Sequence, residues 1–215
     1  MRQLRNRRHR GVNVRLTDRD RHVFEALGRF RLARTRDLQL TCFRGIHPTT
    51  AGLRIRKLFD AGFLDVHSGR IGEENVYVLG RAAKDWRLGP VPRGNLQHHL
   101  AIVHAWAILA ANVPESLLLE RSLPDWELRE DAPHLEVIPD LFMVLSGKAL
   151  AVEVDLGTEA LPVLRRKLDA YRSLDRLFGY PFAVSVMAER RIPDVHCWSA
   201  SDGPASCYDL LLGQQ

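Results

Sequence analysis

The sequence predicts an α/β protein of two domains: a small helical domain closed by a β-hairpin, then an α/β domain on a mixed sheet. Three observations predict it. Charge divides along the chain: residues 1–94 carry 21 Lys+Arg against 9 Asp+Glu (net +12), and residues 95–215 carry 10 against 17 (net −7). Three amphipathic helical segments and then two short strands occupy residues 17–79. Beyond them the order becomes helix, strand, hairpin, helix, strand, which places a helix on each side of a sheet. A chain of 215 residues, 46% hydrophobic and 27% charged, has an ordinary globular balance and length for one large domain or two small ones.

Thr17 reads as the N-cap of a first helix over 18–30, with Asp18 and Asp20 in its first turn and Val23, Phe24, Leu27 and Phe30 at helical spacing. Thr35 reads as the cap of a second, short helix over 36–42, with Leu38 and Cys42 inward. Gly45 and Pro48 break the chain, and Thr49 or Thr50 opens a third helix. Its inward face is Ala51, Ile55, Leu58, Phe59 and Gly62; the opposite stripe is Thr50, Arg54 and Lys57. Residues 63–67 and 75–79 alternate as strands around a glycine-containing loop with Arg70.

Three helices and a hairpin in about 65 residues is the winged helix-turn-helix order, whose third helix enters a DNA major groove. With its +12 charge, this half is expected to bind double-stranded DNA, because cations that displace counterions from phosphates supply most of the affinity. Thr50, Arg54 and Lys57 are the candidate groove residues, Arg70 the candidate wing contact. Arg7, Arg8 and Arg10 belong to a basic arm over 1–16. The winged helix-turn-helix is assigned to 17–88 and a linker containing Gly89-Pro90-Val91-Pro92 to 89–94.

The second domain, 95–215, opens with a helix over 96–113 that Pro114 ends, followed by a short strand over 117–121 containing Glu120. His98, His99 and His104 lack the spacing of a zinc site and read as cap or interface residues. The apolar runs 137–145 and 148–155 flank Ser146-Gly147 and predict a hairpin with a two-residue turn. That turn pairs Leu145 with Lys148, sets Asp140 opposite Glu153, and puts Asp155 on the same face. Cross-strand neighbours lie roughly 4.5–5.5 Å apart and like charges there repel. The three carboxylates therefore need a compensating group, a divalent cation or a lysine or arginine from elsewhere. A helix over 159–174, a strand over 182–187 and a last strand near 195–199 complete the pattern.

Pro139-Asp140 followed by Glu153 on the next strand, with Glu120 upstream and a helix after, resembles the restriction-endonuclease-like PD-(D/E)XK nuclease domains. The resemblance implies acidic residues that bind Mg²⁺, here Asp140 and Glu153, and a lysine that assists catalysis. Asp155 stands where that lysine belongs, and Lys167 on the following helix is a displaced candidate. With the winged helix in front, the chain resembles the replication-relaxation family of bacterial plasmids and mobile elements. The segments that carry this are Glu153-Val154-Asp155-Leu156-Gly157-Thr158-Glu159 and Lys167-Leu168-Asp169-Ala170-Tyr171. It implies a DNA-binding accessory or regulatory protein of plasmid or element replication or relaxation, with a degenerate nuclease-like domain. Two alternatives stand beside it. One is a Mg²⁺-dependent nicking or cleaving endonuclease that uses Asp140, Glu153, Asp155, Lys167 and Glu120. The other is a winged-helix transcriptional or antitoxin-like regulator with a protein partner or a homodimeric state.

Several classes have no support. No apolar run is long enough to span a membrane, and no apolar stretch of a secretory signal follows the basic start. Cys42, Cys197 and Cys207 form no CxxC pair, which fits the reducing cytoplasm. No GxxxxGK[ST], GxGxxG or GxSxG motif appears, so nucleotide hydrolysis, dinucleotide binding and serine-elbow hydrolysis rest on nothing.

Overall fold

The structure, a computed structural model, describes residues 13–67, 74–90, 95–157, 160–188, 197–198 and 205–212. It forms two compact units, residues 1–107 and 108–215. Arg7, Arg8, Arg10 and Arg70 lie outside the described residues.

In the first unit, α1 (Asp18–Phe30) starts at a capping box: Asp20 accepts the Thr17 backbone N–H, and the Thr17 hydroxyl accepts the Asp20 N–H. A two-residue strand β1 (Ala33–Arg34) leads into α2 (Thr35–Cys42), then α3 (Pro48–Asp60), β2 (Leu64–Val66) and β3 (Val76–Leu79). The three strands form an antiparallel sheet in the order β1-β3-β2. Two helix starts differ from expectation. Arg34, not Thr35, is the N-cap of α2, because Asp37 turns back onto the Arg34 N–H at 3.1 Å. His47, not a threonine, caps α3, its Nδ1 accepting the Thr49 N–H, with Pro48 at the first helical position where no donor is needed. Strand β1 is too short to show in a pattern; it forms because Ala33 and Arg34 pair with Tyr77 and Val76.

A 3-10 helix (Arg81–Trp86) then crosses α1 at Gly28. A Cβ on Gly28 would lie 2.3 Å from the Trp86 carbonyl oxygen. Gly28→Ala is therefore expected to destabilise the protein by about 1–3 kcal/mol in urea unfolding, although alanine is the better helix former. A neutral or stabilising result would disprove this close approach.

The long helix α4 (Leu96–Ala111) contains the division between the units. Its N-terminal turns belong to the first unit through three contacts. His99 Nε2 lies 3.0 Å from the Phe30 carbonyl, His104 Nδ1 lies 2.7 Å from Asp37 Oδ1, and the Trp106 ring stacks on Phe30 with centroids 4.2 Å apart. Burial, with the charges of Arg31 and His98, pushes His99 down to about 4. It is thus neutral at pH 7 and donates its N–H to Phe30.

The second unit is an α/β layer on a five-stranded mixed sheet. Its strands β4 (Leu119–Pro124), β5 (Leu141–Leu145), β6 (Lys148–Asp155), β7 (Phe182–Ala188) and β8 (Cys197–Trp198) lie in sequence order. Pairing is antiparallel from β4 to β6 and parallel from β6 to β8. Helix α5 (Asp125–Asp131) follows β4, α6 (Leu161–Arg172) connects β6 to β7, and α7 (Ala205–Leu212) comes last. Leu164, Leu168 and Tyr171 of α6 pack with Phe142, Ala151 and Val186 on one face of the sheet. On the other face Cys207 of α7 lies 3.4 Å from Ser185, and the Tyr208 hydroxyl donates to the Leu109 carbonyl. The strand expected over 117–121 begins and ends later, with a bulge between Leu119 and Arg121. The short helices α5 and α7 were not expected. Among the described residues no helix is long and apolar enough to cross a membrane.

Candidate functional site

The β5–β6 turn sets the site. Ser146 and Gly147 both have positive φ, 48° and 75°, as a tight two-residue hairpin turn requires. Leu145 pairs with Lys148 and the ladder runs back to Leu141 opposite Val152. Asp140 therefore comes just before β5 at the level of Glu153. It lies outside the ladder, not in the strand expected over 137–145, because Pro139 has no N–H to extend the pairing. Instead its Oδ2 accepts the Val154 backbone N–H at 2.8 Å.

Glu153 is 1% exposed, on the face of β6 that α6 covers. Lys167 and Tyr171, one helical turn apart, both reach it. The Tyr171 hydroxyl donates to Glu153 Oε1 at 2.6 Å, and Lys167 Nζ lies 3.2 Å from Oε2. Burial and then the Asp140 charge push Glu153 up to about 7, against the opposing pull of Lys167 and Tyr171. Burial and the Glu153 charge together raise the Tyr171 phenol as well, so it remains a hydrogen-bond donor. Asp155, also buried, accepts the Gly157 N–H at 2.8 Å, where the chain turns out of β6 with Gly157 at φ 76°.

Glu120 does not join this cluster. Its Oε1 accepts the Gly147 N–H at 2.8 Å, at the turn end of the hairpin. Five residues of strand, about 16 Å, separate that end from Asp140. Tyr171, which the sequence offered only as the last residue of the Lys167–Tyr171 segment and not as a site residue, joins the site. Its signal was the i,i+4 spacing from Lys167, which sets both side chains over one point of the sheet.

In the first unit Thr50 and Lys57 are exposed on α3 as expected, but Arg54 turns inward. Its guanidinium forks onto the fully buried Asp20, with Nε 2.8 Å from Oδ1 and a second nitrogen on Oδ2, and it also donates to the Arg15 carbonyl. Cys42 and Cys207 are buried thiols, pushed up to about 11 and about 12 chiefly by burial, so neither is a thiolate near neutrality.

The carboxylate cluster fits Mg²⁺ poorly. That ion requires several oxygen ligands in near-octahedral geometry. At Glu153 one oxygen accepts a phenol and the other faces an ammonium, which already supplies the compensating positive charge. Asp140 spends one oxygen on the backbone. Among the described residues no three His, Cys, Asp or Glu side chains converge as metal ligands. As arranged, the cluster is an internal Asp–Glu–Lys–Tyr network.

A basic unit in which helices α1–α3 accompany a three-stranded sheet, followed along the chain by an acidic α/β unit whose mixed sheet holds a carboxylate network, defines the class of protein. The replication-relaxation family model matches residues 24–180, across both units, and the chain belongs to that family. No curated protein and no solved structure matches the chain.

Proposed function

We propose that this chain is a DNA-binding accessory or regulatory protein of plasmid or mobile-element replication or relaxation, with a nuclease-like domain that no longer cuts. One observation carries the reading: the entire positive excess, +12, lies within residues 1–107, the unit that presents α3 to solvent, while residues 108–215 are net −7. A cationic three-helix unit with a hairpin suits duplex DNA, with α3 in the major groove and the β2–β3 loop, Arg70 included, along the phosphates. The N-terminal arginines Arg7, Arg8 and Arg10 add backbone contacts in the same proposal. The engagement of Glu153 by Lys167 and Tyr171 supports a role for the second unit in assembly or regulation. A homodimer or a protein partner would use that unit.

The test is a supercoiled-plasmid assay in Mg²⁺, Mn²⁺ and EDTA, beside Asp140→Ala and Glu153→Ala. Retarded, uncut plasmid in every lane is the expected result, with log affinity falling linearly in log salt and a slope about 1 smaller for Lys57→Ala. Metal-dependent nicking that both variants abolish would replace this reading with the Mg²⁺-dependent endonuclease. No binding at low salt, with a protein that co-purifies stably, would favour the regulator with a protein partner.

A further inference from the structure

We infer that Leu53, with Gly52 beside it, is the base-reading point of α3, and that it reads the C5-methyl group of thymine in duplex DNA. This rests on the DNA-binding reading above and makes it specific. Leu53 is 61% exposed, on the side of α3 opposite its buried Ala51, Ile55 and Leu58. One exposed leucine is ordinary on a protein surface; its neighbour makes this one informative. Gly52 lies within α3, where glycine is the poorest residue after proline. Other glycines of this unit have a reason inside the chain: a Cβ on Gly28 or Gly80 would lie 2.3 Å from a backbone oxygen. A Cβ on Gly52 would meet nothing within 4 Å. The chain's own packing therefore leaves this glycine unexplained, whereas close approach of an outside surface explains it.

Charge selects the occupant. Lys57, one turn beyond Leu53, and Arg44, in the α2–α3 connection, are exposed, and among the described residues neither has an acidic partner. Arg54, the arginine expected to read bases, is committed to Asp20. With Arg56 paired to Asp60, what α3 offers a groove is thus Thr49, Thr50, Gly52 and Leu53, small or apolar, with flanking cations. In the major groove the matching feature is the thymine methyl, the one apolar group on a base edge.

The experiment enriches duplexes from a randomised pool on the full chain, then measures affinity for the enriched duplex and for the same duplex with deoxyuridine replacing thymidine. Wild type should lose about fourfold per contacted methyl, roughly 0.8 kcal/mol, and Leu53→Ala should bind both duplexes equally. Gly52→Ala should raise Tm by a few degrees yet weaken DNA binding, opposite signs that a purely structural role would not produce. If wild type fails to bind any duplex, the DNA-binding reading falls and this inference with it. If Lys57→Ala weakens binding while deoxyuridine, Leu53→Ala and Gly52→Ala change nothing, the reading stands and the inference is wrong. A Leu53→Ala variant that loses a dimer and keeps its DNA affinity would assign the face to a second copy and likewise overturn it.

Discussion

Arg54→Ala is expected to destabilise the first unit by about 3 kcal/mol, lowering its Tm by on the order of 10 °C. Asp20 is fully buried, and the guanidinium of Arg54 forks onto both its oxygens. Removing the arginine leaves a carboxylate in the interior without its counter-charge, the costly way to break a buried pair. Burial works against ionisation of Asp20, but Arg54 and Thr17 outweigh it and hold the group below its ordinary 3.8. Because its folded pKa is depressed, the stability it contributes is present above 3.8 and is lost as pH falls through the folded value. The double variant Asp20→Asn/Arg54→Met should recover much of the loss, since no charge is then stranded. An unchanged thermal midpoint in Arg54→Ala would refute the clamp. For the proposed DNA binding the consequence is direct: affinity lost in Arg54→Ala would follow from displacing α3 against α1. Affinity lost in Lys57→Ala, with Tm unchanged, would report a contact.

Glu153→Gln is expected to raise Tm above wild type at pH 8 and to leave it nearly unchanged at pH 5. The folded pKa of Glu153 is pushed from 4.5 up to about 7, first by burial and then by Asp140. A group raised in this way contributes stability below its unfolded pKa and loses it as pH rises through the folded value. Wild type should therefore weaken between about pH 5 and 8 by on the order of 2 kcal/mol, a dependence that glutamine removes. Tyr171→Phe acts in the other direction. It takes the donor from Glu153 Oε1 and should cost about 1–3 kcal/mol at pH 8, less at pH 5. Thermal melts of the three proteins from pH 5 to 8 decide it; parallel curves would show that Glu153 does not titrate in this range.

Much of this molecule was legible because its signals are local. The Thr17 cap and the Val23, Phe24, Leu27, Phe30 spacing predict α1 with the bounds it has, 18–30. Ser146-Gly147 predicts a two-residue turn, and that turn alone sets Leu145 against Lys148 and Asp140 level with Glu153. Elements of two to eight residues, β1, α5 and α7, escaped notice because so short a stretch completes too few periods to rise above chance.

By itself, the sequence determined the order of the longer elements, the hairpin register, the split of charge and, through its motifs, the family. Each follows from residues within a few turns of one another or from composition. Only the tertiary structure decided which charges are free to act. Arg54 meets Asp20 across 34 positions, Lys167 and Tyr171 meet Glu153 across 14 and 18, and Glu120 lies at the far end of its hairpin from Asp140. A stripe of basic residues on a helix looks the same in sequence whether its arginine faces solvent or a buried carboxylate. Burial is what distinguishes them, and burial is a property of the packed chain: a charge taken out of water must find its partner, wherever along the sequence that partner lies.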